Sequence, residues 1–135
     1  MVDEKEFLRW RAEADRALRS ARLQADDGLH NWACFSAEQA AQLAVKALLH
    51  GVGGAPWGHD LEVLAGRARE QGFEQPESVA DALRRLSRLY IPSRYPDAHA
   101  AGEAAAHFAT SDSEAAMGDA REVLGWVDEQ WGGLH

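Results

Sequence analysis

The stretch YIPSRYPDAHA, residues 90–100, contains two residues whose types together suit a phosphodiester, Arg94 and His99. Histidine titrates near neutrality, so it can take the proton of a ribose 2′-hydroxyl or return one to a leaving 5′-oxygen. Arginine carries a fixed charge on a planar fork that grips two phosphate oxygens and offsets the added charge of a five-coordinate phosphorus. Scission through the neighbouring 2′-hydroxyl by such a pair uses no metal. Tyr95, directly after the arginine, presents a ring able to orient a phosphate or stack on a base. Spacing alone decides nothing: with 12 arginines and 6 histidines, chance supplies roughly one or two such pairs. An alternative reading pairs Arg94 with Asp97 to secure the turn, with Tyr95 packed beneath.

Other chemistry-bearing residues form weaker patterns. His99, Glu103 and His107 would share a face if residues 97–108 were helical, as a partial metal set. AHAAGEAAAHF contains Gly102 and brings no further clustered ligand, so no metal and no cofactor are assigned. Asp60, after His59 at the start of a helical run, suits a capping carboxylate. Cys34 is the single cysteine, which excludes an internal disulfide. In an alanine-rich helical run it reads as a small core residue, not a nucleophile.

The chain as a whole repels polyanions. Its net charge is −8, and affinity for nucleic acid comes mainly from basic groups displacing counterions, so generic nucleic-acid binding is excluded, DNA is not expected and any RNA contact is local. Arg84, Arg85, Arg88 and Arg94 fall in a stretch without an acid, whereas 3–15 and 112–129 are acid-rich. That leaves a basic patch in which Arg84 and Arg88 are candidate substrate-binding residues, or a solvated face offsetting acids elsewhere. AAQLAVKALL is interrupted by Gln42 and Lys46 and is too short to cross a bilayer, and MVDEKEFLRW is too charged for a signal peptide. These features predict a cytoplasmic chain without a membrane partner, folded as a single domain over 1–135.

The elements that must position these residues are helices. Phe7, Trp10, Ala14, Ala17, Leu18 and Ala21 keep amphipathic spacing from about residue 3 to about 26, where DDG ends the run. Residues 29–51 form the expected central helix, with Trp32, Phe35, Ala40, Leu43 and Ala47 on one side. A glycine-rich loop follows, then a shorter helix to Gly72 and a fourth from Pro76 to Tyr90, before Pro92. The Ile91-Pro92 and Tyr95-Pro96 pairs are expected to hold the chain extended. A last long helix begins where Ser111 and Glu114 have capping-box spacing. Nothing alternates with period two for long enough to form a strand. The expected fold is all-α, an up-and-down bundle of about five helices.

NWACFSAEQAAQLAVKALL, then GHDL, then LSRLYIPSRYPDA and a terminal amphipathic helix resembles the HEPN family over nearly the whole chain. Cys34-Phe35, Gln39-Ala40-Ala41, Lys46-Ala47-Leu48, His59-Asp60-Leu61, Tyr90 and Arg94-Tyr95-Pro96-Asp97 carry the resemblance. Gln42-Leu43 stands where relatives often have a Glu-Lys pair, and Tyr95 where catalytic members usually have a polar residue. The resemblance implies a metal-independent endoribonuclease of a toxin–antitoxin-type pair, with Arg94 and His99 as the arginine and histidine of a dimer-interface site. It equally implies non-catalytic members, interaction or nucleotide-binding modules that partner a minimal nucleotidyltransferase. With five tryptophans to place, it also predicts a homodimer whose fourth helix and Arg94 loop face the symmetry axis.

Overall fold

The computed structural model describes residues 2–134 and contains, among them, five α-helices and no strand: α1 Glu4–Asp26, α2 His30–Gly51, α3 Leu61–Glu70, α4 Glu77–Ser87 and α5 Thr110–Gly132. Gly28, with φ of 80°, follows α1 and makes the left-handed turn that lets α2 fold back along it. α2 is the axle, packed against α1, α3, α4 and α5. Its alanines explain why: Ala33, Ala37, Ala40, Ala41, Ala44 and Ala47 are all fully buried, and small side chains let several helices approach one central helix closely. No described helix is long and apolar enough to cross a membrane.

One end of the bundle is sealed by aromatic packing. Phe7 of α1 stacks on Trp131 of α5, with centroids 4.1 Å apart. Both press on Gly51, where an added Cβ would lie 2.3 Å from the Trp131 ring. Trp126 is also buried, and its indole N–H donates to the Glu74 carbonyl at 2.9 Å.

Three sequence expectations need correction. Trp32 lies outside the core and is 43% exposed, because the buried face of α2 runs through Ala33, Cys34, Ala37, Ala41, Ala44, Val45 and Leu48. Residues 88–94 form consecutive tight turns and are not extended. α4 has already ended at Ser87, short of the expected Tyr90; Pro92 contributes no donor, while the Leu89 carbonyl accepts from Ser93 N–H, and the Ile91 carbonyl from Arg94 and Tyr95 N–H. Tyr95 does have the extended geometry expected before proline. Finally, α5 starts one residue before Ser111: Asp112 Oδ2 accepts from the Ala109 N–H at 2.8 Å, while Glu114 turns away to pair with Arg22.

Candidate functional site

The turns after α4 place Arg94 against α2. Phe35 of α2, Tyr90 and Tyr95 surround the guanidinium, whose Cζ lies 4.2, 4.5 and 4.8 Å from their ring centroids respectively. Nε and Nη2 both donate to the Tyr90 carbonyl, at 3.1 and 3.0 Å. This fork clasps its own turn while the cation lies over electron-rich rings. Among the described residues Arg94 forms no ion pair, and the pairing with Asp97 considered as a turn anchor is absent. The anchoring role is real, but a carbonyl and three rings perform it.

Below this cage, α2 contributes buried polar groups. Asn31 Nδ2 donates to the Ser93 carbonyl at 2.9 Å and ties the loop to the helix. Glu38 is fully buried and accepts from Gln42 Nε2 at 2.6 Å and Gln39 Nε2 at 2.9 Å. Burial pushes its carboxyl up to about 7, against the opposing pull of the two glutamine hydrogen bonds and of the Arg94 and Lys46 charges. Gln42 also donates to the His59 carbonyl at 2.9 Å, linking Glu38 to the start of α3. Ser93 Oγ is buried without a hydrogen-bond partner among the described residues.

His99 binds back to the same turns. Its Nε2 donates to the Pro92 carbonyl at 2.7 Å, which fixes the proton there and leaves Nδ1 as the basic nitrogen of the neutral ring. The ring stacks on His107, with centroids 4.0 Å apart and planes 3° from parallel, and meets Phe108 edge-on. Residues 97–108 fold as two short 3₁₀ turns, Pro96–Ala98 and Ala104–His107, and not as the helix that would align His99, Glu103 and His107. His107 Nε2 is turned to the Ala101 carbonyl at 2.6 Å. Arg94 and His99 thus grip carbonyls two residues apart, those of Tyr90 and Pro92, with no hydrogen bond between the two side chains among the described residues.

The arginines of the expected basic patch have different fates. Arg84 pairs with Asp81, and Arg85 forms a two-pronged bond with Asp119 at 2.9 Å. Arg88 is exposed, without an ion pair among the described residues, and borders a groove with His59, Asp60, Tyr90 and Ile91. Asp60 caps α3 as its position suggests, Oδ1 accepting from the Glu62 and Val63 N–H groups. Burial pushes the Cys34 thiol up to about 12, consistent with a packing role. Sequence reasoning overlooked Asn31 and Glu38. The available signal was register: Glu38 is one turn from Cys34 and from Gln42, on the face otherwise filled by alanine.

A five-helix bundle with a caged arginine on the loop after its fourth helix is a small α-helical domain of a recognisable kind. Residues 7–130 match the HEPN domain model, and the chain belongs to the HEPN family. Solved structures agree. TT1696 from Thermus thermophilus is 38% identical, with 91% of this chain and 96% of that one covered and a TM-score of 0.87. ST0689, described as an archaeal HEPN homologue, is 30% identical over 92% of this chain and 96% of its own, with a TM-score of 0.77. An HEPN domain protein from Thermotoga maritima, at 23% identity, covering 92% and 98% with a TM-score of 0.74, shares the fold. No curated protein matches the chain.

Proposed function

We propose that this protein is a metal-independent endoribonuclease, the toxin component of a toxin–antitoxin-type pair, acting as a homodimer with α4 and the Arg94 loop at the two-fold axis. The observation that carries this reading is the condition of Arg94. Its guanidinium is half-buried and immobilised by three rings and a carbonyl, yet has no ion pair among the described residues. An incoming phosphate therefore meets an oriented cation without displacing a carboxylate. His99 Nδ1 supplies the proton acceptor, and each protomer contributes one arginine and one histidine to the shared site. Trp32, Ile91 and Tyr95 are 43, 47 and 45% exposed around this region, an apolar surface suited to a second copy. The patch comprising Arg84, Arg88 and Arg94 is where an antitoxin such as a minimal nucleotidyltransferase would block RNA.

The test is cleavage of an RNA oligomer by purified, partner-free protein in the presence of a chelator, with products examined for 2′,3′-cyclic phosphate ends. Light scattering on the same sample measures the dimer. Loss of cleavage in Arg94→Lys and His99→Ala alike supports the shared site; an inert wild-type dimer defeats the ribonuclease reading. A second reading, a non-catalytic interaction or nucleotide-binding module for a minimal nucleotidyltransferase, is favoured by one feature. His99 is held by the Pro92 carbonyl and the His107 ring and forms no hydrogen bond to Arg94 among the described residues. Under that reading the wild-type chain is inert and co-purifies with the nucleotidyltransferase.

A further inference from the structure

We propose that the groove between the start of α3 and the end of α4 is a nucleotide subsite of an RNA chain, holding the base and phosphate of the residue next to the one whose phosphate lies at Arg94. Only that adjacency rests on the ribonuclease reading. The groove has a volume of about 400 Å³, at the lower end of small-ligand sites and suited to a single nucleotide. Two of its lining residues are aromatic, His59 and Tyr90, whose rings stack on each other 10° from parallel with centroids 6.1 Å apart. The exposed His59 ring offers a face on which any base can stack. Tyr90 also has the Arg94 guanidinium 4.5 Å from its ring centroid, so one ring borders both the groove and the caged cation.

The polar groups fit the rest of a nucleotide. Arg84 and Arg85 are neutralised by Asp81 and Asp119, whereas Arg88, at the groove, keeps its charge for a phosphate. Asp60 is the opposing charge at the same groove. Its Oδ1 is already occupied by two N–H groups of α3, which leaves Oδ2 to accept from the exocyclic amine of adenine, cytosine or guanine. Uracil offers its N3–H to the same oxygen, so the carboxylate orients a base without selecting one.

Binding of a labelled, uncleavable 2′-O-methyl oligoribonucleotide, followed by fluorescence anisotropy, tests the subsite apart from catalysis. His59→Ala and Arg88→Ala should each weaken binding about tenfold, with the salt dependence of Arg88→Ala reduced by about one charge. Affinity within twofold of wild type for both His59→Ala and Arg88→Ala overturns the subsite, as does unaltered KM for His59→Ala in a cleaving enzyme. Nucleoside monophosphates competing as well as the oligomer would also overturn an RNA-chain occupant and assign the groove to a free nucleotide. A wild-type protein that binds the oligomer through His59 but cuts no RNA upholds the subsite while the ribonuclease reading fails.

Discussion

The two halves of α2 are packed by opposite rules. From Ala44 to Gly51 the buried positions are Ala44, Val45, Ala47, Leu48, Leu49 and Gly51, all apolar, closed off by Trp131 and Phe7. From Asn31 to Gln42 the same helix buries Asn31, Glu38 and Gln42 among its alanines, and the loop above adds an unpartnered Ser93 hydroxyl. Burying a polar group costs free energy unless hydrogen bonds compensate it, as they do at Asn31, Glu38 and Gln42 and do not at Ser93 among the described residues. These buried polar groups are concentrated where the helix meets the Arg94 loop. One end of α2 is built for stability, and the other holds a loop and a cation in a set geometry.

If that contrast is functional, substitutions at the two ends should separate activity from stability. The largest effect expected is on RNA cleavage: Arg94→Lys keeps the charge but loses both the fork on the Tyr90 carbonyl and the planar cation over three rings. Cleavage should fall about 10²- to 10³-fold, by analogy with removal of a fixed transition-state donor. His99→Ala should match it in activity, with a smaller loss of melting temperature, since His99 holds one carbonyl where Arg94 holds a turn and a cage.

Next in size is a pH effect at Glu38. Its carboxyl is raised from an ordinary 4.5 to about 7 in the folded chain. The folded state therefore holds this proton more tightly than the unfolded state. The associated stabilisation is complete below about pH 4.5 and is lost as the pH rises through about 7. The full swing is on the order of 3 kcal/mol. Urea unfolding across this window should show the decline in wild type and a flatter profile in Glu38→Gln, which keeps the shape but cannot titrate. An unchanged profile would mean that the buried carboxyl is not the group responsible.

At the apolar end, Gly51→Ala should destabilise by about 1–3 kcal/mol, the usual cost of overpacking, because the new methyl meets the Trp131 ring. Protein that remains folded should cut RNA normally. The smallest effect expected is from Ser93→Ala, which removes a buried hydroxyl that has no partner. Chemical denaturation should find it neutral or stabilising by up to about 1 kcal/mol. A clear loss of stability would reveal a hidden partner and weaken the contrast between the two ends.

Local signals made most of the framework legible. The helical periods of α1 and α5, the glycine after α1 and the Asp60 cap each depend on neighbours within a few residues. The site was legible only as residue types. Arg94 stood out for its type and its place before His99 after the fourth helix, yet the alternative pairing with Asp97, near in sequence, is absent, and the ring of Phe35 comes from α2. Trp32 was misplaced because periodicity finds a stripe of apolar residues without saying which edge of it neighbouring helices cover. The run of alanine in α2 marked it as central, and here composition was enough.

The sequence by itself determined that the chain is helical, where most of its helices begin and end, that it carries a net charge of −8 with four arginines gathered in one acid-free stretch, and that it resembles the HEPN family. These are properties of composition and of contacts close along the chain. Only the tertiary structure decided which arginines keep a free charge: Arg84 and Arg85 have carboxylate partners, Arg94 enters a cage of rings, and Arg88 opens on a groove with His59. It also decided that Glu38 is buried and that His99 rests on a carbonyl and a second histidine. The physical reason is that burial and pairing set the energy of a charged group, and both depend on which helices pack together, information that short-range sequence patterns do not contain.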